Sequence, residues 1–274
     1  FIFGLDMDMA GAAWATVIGQ LFSFGMAVYY FTHYKTVQLK LQHLMLKWKF
    51  IWRVASLGAA PAFNQLAMMV VQITMNKSLT YYGAMSKYGK EIPLASVGII
   101  SKVAMIFFAV IIGISQGMQP IVSFNYGARK FDRARRAYTL ALKSGFVLSL
   151  FASTLFMSIP RQIISLFGEG SAEYFAFSVS FFRIFFFFTF INFVQPMSSN
   201  FFTAIGVPKK GIFLSLTRQI IFLLPLILIF PLFMGINGIV FAGPIADFIA
   251  FLVSVIMIRR EFKLMGASPK ISPK

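Results

Sequence analysis

Long apolar stretches alternate with short polar connections along this sequence. A helix needs about 20 predominantly apolar residues to cross a bilayer, and the stretches that reach or approach this length predict seven transmembrane helices. Residues 1–5 read as the end of an eighth helix. The predicted spans are 9–34, 54–76, 92–128, 144–160, 174–208 and the two halves of 219–258, which Gly235, Asn237 and Gly238 divide.

Composition favours a membrane protein over a soluble one. Hydrophobic residues make up 58% of the chain, the mean hydropathy is +0.79, and 12% of residues are charged, against about 25% in typical soluble domains. A lipid phase solvates the outer faces of such helices, which a single soluble core could not bury. The predicted fold class is therefore an all-α integral membrane protein, a polytopic helical bundle of about seven transmembrane helices.

The net charge of +17 is distributed unevenly. Lys and Arg accumulate in the cytoplasmic loops of membrane proteins. The segments 32–53, 129–143, 209–218 and 259–274, which the helix count puts on one side, hold 19 of the 25 basic residues. This asymmetry predicts that the C-terminus is cytoplasmic.

The basic run 129–136 is interpreted as a positive-inside determinant that contacts anionic lipid headgroups. A dedicated ligand site is the alternative. Because the basic residues lie between apolar runs, nucleic acid is not an expected partner.

Side-chain chemistry narrows the function classes. The chain has no cysteine, which excludes disulfides and thiol-ligated metal sites, and His33 and His43 are too few for a histidine-rich metal site. The predicted spans contain no paired carboxylates to serve as acid and base. We expect neither an enzyme nor a metal site.

A weak internal repeat relates the first predicted helix to the last one. By the charge count both run from outside to inside, and two such helices six apart imply two parallel halves of six helices. Together with a first residue that is not Met, the repeat predicts an N-terminally truncated fragment. The pairs aligned at a constant offset include Phe3 with Phe230, Gly11 with Gly238 and Gln20 with Asp247.

The predicted domain organisation follows from this repeat. Residues 1–34 are the end of an N-terminal bundle, 35–53 a cytoplasmic linker between bundles, 54–258 a six-helix C-terminal bundle, and 259–274 a cytoplasmic tail.

Three stretches of the chain resemble the multidrug and toxic compound extrusion (MATE) family, and within it the bacterial MepA-like branch. They are residues 11–20 (GAAWATVIGQ), 113–128 (GISQGMQPIVSFNYGA) and 198–206 (SSNFFTAIG), the last followed by Lys209, Lys210 and Arg218. The second stretch is the most specific, and the resemblance covers nearly the whole chain.

The resemblance implies a transporter of twelve helices in two bundles, of which this chain would hold the sixth to the twelfth. Thr16 matches a threonine of the family's cation-binding cluster in the first bundle. Members that couple through the second bundle use a Glu on the seventh helix and an Asp on the tenth. This chain departs from that pattern, since 54–76 and 174–208 contain no acidic residue.

Ionisable groups inside a span are costly and usually face a cavity or a partner. The alternative to a role in coupling or gating is mutual pairing that locks the bundle, for example of Asp247 with Arg218. The ion-coupling or gating candidates are Thr16, Gln20, Lys102, Arg183 and Asp247.

Uncharged amides and methionine suit the wall of a cavity that binds varied amphipathic ligands. Positions 61, 65, 68 and 72 share one helical face. The alternative is hydrogen bonding between helices, at about 0.6 kcal/mol for each bond. The substrate-cavity candidates are Asn64, Gln65, Met68, Gln72, Asn192 and Gln195.

Proline and glycine predict local backbone features. Pro196 is expected to bend the fifth predicted span, either for transport or for packing alone. Gly113 and Gly117 have the spacing for close helix contact. The remaining members of this structural motif are Pro120, which marks a helix end, and Asn125 and Gly127, which predict a turn.

The preferred interpretation is an antiporter that exports small amphipathic or cationic substrates across a bacterial inner membrane by alternating access. Na⁺ or H⁺ would be the coupling ion, with no other cofactor. The expected partners are the lipid bilayer and the missing N-terminal bundle of the same chain. The alternative is a lipid-linked oligosaccharide flippase of the same superfamily. Such a cavity would hold several basic residues, whereas Lys102 and Arg183 are the only candidates.

Overall fold

Apolar stretches form helices throughout the part of the chain that the structure describes. The computed structural model describes residues 7–33, 47–168 and 170–267, and no strand occurs among them. The predicted all-α fold class is confirmed. The elements are α1 (Asp8–Thr32), α2 (Trp48–Ala84), α3 (Glu91–Gly127), α4 (Phe131–Ser158), α5 (Pro160–Ser165), α6 (Ala172–Phe185), α7 (Thr189–Asn192), α8 (Val194–Ala204), α9 (Pro208–Leu216), a π-helical segment (Thr217–Leu223), α10 (Leu224–Met234) and α11 (Ile236–Ala267).

The chain divides into two compact units, Phe1–Leu57 and Gly58–Lys274. The first unit contains α1 and the beginning of α2, and the second contains the rest of α2 and all later helices. Most of the predicted linker, His43, residues 1–6 and the end of the predicted tail lie outside the described residues. The predicted domain boundaries stay predictions.

Among the described residues, four helical segments are long and apolar enough to cross a membrane, and a fifth arises if α6 and α7–α8 form one bent span. These segments overlap the predicted spans from residue 92 onwards, but the helices that begin at Phe131 and Pro208 extend into stretches that were predicted to be connections. The first two predicted spans fall on α1 and α2, whose membrane crossing stays a prediction. The four segments are Glu91–Gly127, Phe131–Ser158, Pro208–Met234 and Ile236–Met265.

The bent span breaks in two places. Its halves, Ala172–Phe185 and Thr189–Ala204, meet at 41°. A smaller interruption separates α7 from α8 at Phe193. Proline clashes with the carbonyl four residues before it, so Pro196 accounts for the interruption that follows Asn192. The larger bend lies earlier than Pro196, at 186–188, where three consecutive phenylalanines stand.

Two glycines form the reversal between α10 and α11. Gly235 has φ 57° and ψ −138°, a conformation that is essentially restricted to glycine. At Gly238 an added Cβ would lie 2.5 Å from the carbonyl carbon of Phe230, so only glycine lets α11 begin this close to α10. The predicted division of 219–258 is confirmed.

The connection between α3 and α4 corrects one prediction. Asn125 and Gly127, predicted to form a turn, lie in the last turn of α3, which continues through Pro120. The Asn125 Nδ2 donates to the Ile121 carbonyl at 2.8 Å, which binds the side chain to the helix. The reversal occurs at 128–130, where Arg129 has φ 55°.

Close helix contact is made at glycines other than the predicted ones. Gly113 and Gly117 lie on the exposed side of α3, and nothing in the described chain outside their own helical turn lies within 4 Å of a Cβ built on either. Gly145 makes such a contact instead, with an added Cβ only 2.6 Å from the Met197 Cε. The spacing of two glycines does not reveal which face of the helix meets a neighbour.

Aromatic rings fill much of the core of the second unit. Phe181, Phe182 and Phe186 are buried, whereas Phe187 is exposed. The Phe156 ring of α4 packs 4.5 Å from that of Phe186. The phenylalanine-rich stretch therefore packs the bundle on one face and remains exposed on the other.

Side-chain hydrogen bonds join the helices through this core. Each connects small polar groups that are costly to bury alone. They are Ser96 Oγ with Ser178 Oγ at 2.7 Å, Tyr138 Oη with Ser198 Oγ at 2.8 Å, and Asn200 Nδ2 donating to Ser115 Oγ at 2.8 Å.

Candidate functional site

Asp247 lies inside α11 on a face of small residues. Gly243 and Ala250 are buried along that face, and small side chains allow neighbouring helices to approach closely. Counted from Ile236, Asp247 is about 16 Å into the helix at 1.5 Å per residue. Its side chain is 2% exposed. A carboxylate at that depth requires partners.

Arg218 supplies the charge opposite Asp247. Its Nε donates to the Asp247 Oδ1 at 2.5 Å, a charge-assisted hydrogen bond of the stronger kind. Arg218 stands on the π-helical segment. The π-helix is rare in proteins as a whole, and where it occurs it is often at a functional site. The predicted pairing of Asp247 with Arg218 is confirmed.

Asn192 completes the site from the short helix α7. Its Nδ2 donates to the Asp247 Oδ2 at 2.8 Å. Because a carboxylate only accepts hydrogen bonds, this contact fixes the orientation of the amide. The Asn192 Oδ1 is consequently turned elsewhere, and it is buried without a hydrogen-bond partner in the described part of the chain. We call Asn192, Arg218 and Asp247 the Asp247 cluster.

The Asp247 cluster joins three helical segments through one carboxylate: α7 of the bent span, the π-helical segment and α11. Its ion pair balances one negative charge with one positive charge, and the amide adds a donor and an acceptor. Among the described residues no three His, Cys, Asp or Glu side chains are grouped to hold a metal ion. Its acceptors for a cation are therefore the Asp247 carboxylate and the Asn192 Oδ1.

The other cavity candidates lie mostly on α2, and those whose side chains the structure describes form no hydrogen bond to this cluster. Gln65, Met68 and Gln72 are exposed, and the Gln72 Nε2 donates to the Asn76 Oδ1 at 3.2 Å within the same helix. The hydrogen bonding of Gln72 is therefore local and does not join two helices. The side chain of Asn64 lies outside the described residues.

Gln195 is half-buried in α8, three residues after Asn192. Asn192 thus contacts Asp247, whereas Gln65, Met68, Gln72 and Gln195 form no hydrogen bond to the Asp247 cluster. The cavity role of all six residues stays a prediction.

The remaining coupling candidates are dispersed. Lys102 on α3 and Arg183 on α6 are exposed, and the described residues provide no acidic partner within ion-pair distance of either. Thr16 and Gln20 are exposed on α1, in the first unit. Mutual pairing thus explains Asp247 and leaves Lys102 and Arg183 without an assigned partner.

Sequence reasoning missed a second ion pair. The Lys210 Nζ lies 2.5 Å from the Glu261 Oε2, and Glu261 is buried. Glu261 stands among basic residues in a segment predicted to be a cytoplasmic tail. In the sequence, Glu261 could have been noticed as an acidic residue among basic ones, with Lys209 and Lys210 at the start of the preceding span as possible partners.

One protein family matches more than half of this chain. Residues 61–229 match the family model described as MatE. The chain is 25% identical over 169 residues to the multidrug export protein MepA of Staphylococcus haemolyticus, an alignment that covers 61% of this chain and 35% of that protein. It is 19% identical over 264 residues to MepA of Staphylococcus saprophyticus, covering 94% of this chain and 55% of the relative.

Solved structures share the fold. One is a MOP superfamily transporter from Pyrococcus furiosus Vc1, for which a binding pocket of reverse polarity is described; the TM-score is 0.83 at 20% identity. Another is a multidrug resistance MATE family transporter in an outward-facing conformation, also with a TM-score of 0.83 at 20% identity. In both comparisons the match covers 98% of this chain and 59% of the other. The chain thus spans about half the length of the relatives that it matches.

Proposed function

Because this chain belongs to the MatE family, we propose that it is part of a secondary antiporter that exports cationic or amphipathic small molecules. The coupling ion would be Na⁺ or H⁺, and the mechanism alternating access, in which one bundle moves against another. The names of the relatives, multidrug export proteins, support this substrate class. The moving partner would be a second helical bundle.

The observation that carries the proposal is the burial of Asp247 within an apolar span. Ionisable groups inside a membrane are expensive and are typical of substrate and ion pathways. The Asp247 carboxylate is bound by a guanidinium and an amide from two other spans. This arrangement places one carboxylate, whose bound cation can be exchanged, where three spans meet.

We also propose an orientation and a location. The excess of basic residues in the connections on one side supports a cytoplasmic C-terminus in a bacterial inner membrane. The exposed amides and methionine of α2 support a polar, adaptable wall for the substrate path. Gln65, Met68 and Gln72 would line it, with Asn64 beside them.

The experiment is ethidium efflux from bacteria that express the protein containing this chain at its full natural length. We expect Asp247→Asn to abolish efflux, because the substitution removes the buried charge. Glu261→Gln is the matched control, since it removes an acidic charge from the same helix at its cytoplasmic end. Efflux that persists in Asp247→Asn would remove Asp247 from the mechanism. If the parent protein exported no cationic dye, the proposed substrate class would be wrong.

The coupling ion is identified in the same cells. Collapse of efflux by a protonophore would indicate H⁺, and dependence of efflux on external sodium would indicate Na⁺. Efflux that required neither gradient would contradict antiport.

A further inference from the structure

Asp247 and Arg218 are unequally shielded from the surroundings. The exposed fraction of the side chain is 2% for Asp247 and 19% for Arg218. The guanidinium is therefore the accessible member of the pair. A cation that approaches the Asp247 carboxylate meets the charge of Arg218 first, so the carboxylate is unavailable while Arg218 remains bound to it.

Arg218 has a second favourable contact in reach. Its Cζ lies 5.8 Å from the centroid of the Phe108 ring on α3, a distance at which a guanidinium is attracted to an aromatic face. A guanidinium released from Asp247 can keep this contact. Arg218 also stands on the π-helical segment, whose backbone hydrogen bonding differs from that of the α-helix on either side.

Asn192 presents an oxygen atom that lacks a partner. Its Oδ1 is buried and accepts no hydrogen bond from any described residue, although buried polar atoms are nearly always paired. The same side chain is held against Asp247 by its Nδ2. A cation bound beside Asp247 would supply the missing partner for this oxygen.

We infer that Arg218 is a tethered cation that occupies Asp247 in the unloaded state, and that a cationic ligand competes with it for the Asp247 carboxylate and the Asn192 Oδ1. This inference rests on the proposed function. It assigns the ligand as a monovalent cation, either a metal ion or an organic cation. It also assigns Arg218 a positioning role in the empty protein.

The competition has a consequence for the transport cycle. A bare carboxylate is costly inside a bilayer, so an empty carrier with an unpaired Asp247 would reorient poorly. With Arg218 returning to Asp247 after the ligand leaves, the carboxylate is neutralised in both the loaded and the empty states.

The test measures binding of two probes, tetraphenylphosphonium and radioactive sodium, to the purified protein at its full natural length. Arg218→Gln should bind one of the probes at least about fivefold more tightly than the parent, the lower end of typical coupling between sites. Combining Arg218→Gln with Asp247→Asn should remove this gain. The probe that responds distinguishes an organic from an inorganic cation.

Lys210→Gln is the matched control. Lys210–Glu261 bridges the same two spans as Arg218–Asp247, and its N–O distance is also 2.5 Å. Lys210→Gln should leave both affinities unchanged, because it loses an ion pair without uncovering Asp247. If Arg218→Gln does not fold, Arg218→Lys replaces it and should show a smaller gain, since Lys lacks the rigid guanidinium fork.

Unchanged affinity for both probes in the Arg218 variants, or an equal gain in Lys210→Gln, overturns the inference. In that case, continued ethidium efflux by the parent protein leaves the proposed function standing. Failure of the parent to export ethidium counts against the proposed function itself.

Discussion

Glu261 is the shielded partner of Lys210: their side chains are 9% and 40% exposed, and the Lys210 Nζ lies 2.5 Å from the Glu261 Oε2. The same two spans are joined further along by Arg218 and Asp247. In both pairs the acid is on α11 and is more buried than its base. The cost of breaking either pair should therefore depend on which residue is removed.

Lys210→Gln should destabilise the protein more than Glu261→Gln. The first change leaves a buried carboxylate without a counter-charge, which costs about 1–3 kcal/mol. The second leaves an ammonium that water can solvate, which costs less than about 1 kcal/mol. Circular dichroism at increasing denaturant, on detergent-purified variants, measures the difference. Equal losses of stability would contradict this asymmetry.

The buried hydrogen bond between Tyr138 and Ser198 should be measurable by a double-mutant cycle. Tyr138→Phe should cost about 1 kcal/mol, because it removes one buried hydrogen bond. The coupling energy with Ser198→Ala should be near the average of about 0.6 kcal/mol for bonds between membrane helices. Additive single effects would show that the hydroxyls do not interact.

Gly238→Ala should prevent the close approach of α11 to α10. The new Cβ would lie 2.5 Å from the backbone of Phe230, which side-chain motion cannot relieve, so folded protein should be lost from size-exclusion profiles. Gly117→Ala is the control, since its Cβ enters open space and alanine favours a helix by roughly 0.5–1 kcal/mol. A monodisperse Gly238→Ala protein would be the contrary result.

Gln72→Leu tests the proposed cavity wall on α2. The side chain is exposed, so its replacement should change stability by no more than about 0.5 kcal/mol, while the range of exported dyes changes. Gln116→Leu, on an exposed position of α3, should alter neither property. Identical dye profiles for Gln72→Leu and the parent would argue against the cavity assignment.

Single cysteines can establish the orientation directly, because the chain has none of its own. Ala128→Cys, between α3 and α4, should react with a membrane-impermeant maleimide only after the cells are permeabilised. Ser165→Cys, at the end of α5, should react in intact cells. The reverse pattern of labelling would invert the proposed topology.

Features of the fold were predictable from the sequence where a few residues near each other in the chain determine them. The division at Gly235 was predictable because only glycine tolerates its backbone angles. The pairing of Asp247 with Arg218 was predictable because opposite charges in neighbouring apolar spans have few other partners.

Features that depend on packing were not predictable in this way. The bend at 186–188 contains no helix-breaking residue, and Gly145 rather than Gly117 meets a neighbouring helix. The contact between Asn192 and Asp247 depends on how α7 lies against α11, which no pattern within either segment specifies.

The π-helical segment gives one membrane span two helical registers. A π turn holds more residues than an α turn, so the wider turn rotates the residues before it, including Lys210, relative to those after Leu223. Each residue corresponds to about 100° of an α-helix. Deleting a single residue from Thr217–Leu223 should restore one continuous register and turn one end of the span away from its present neighbours. The segment therefore acts as a one-residue insertion. Removing that residue would change the contacts of side chains at the ends of the helix, far from the deletion itself.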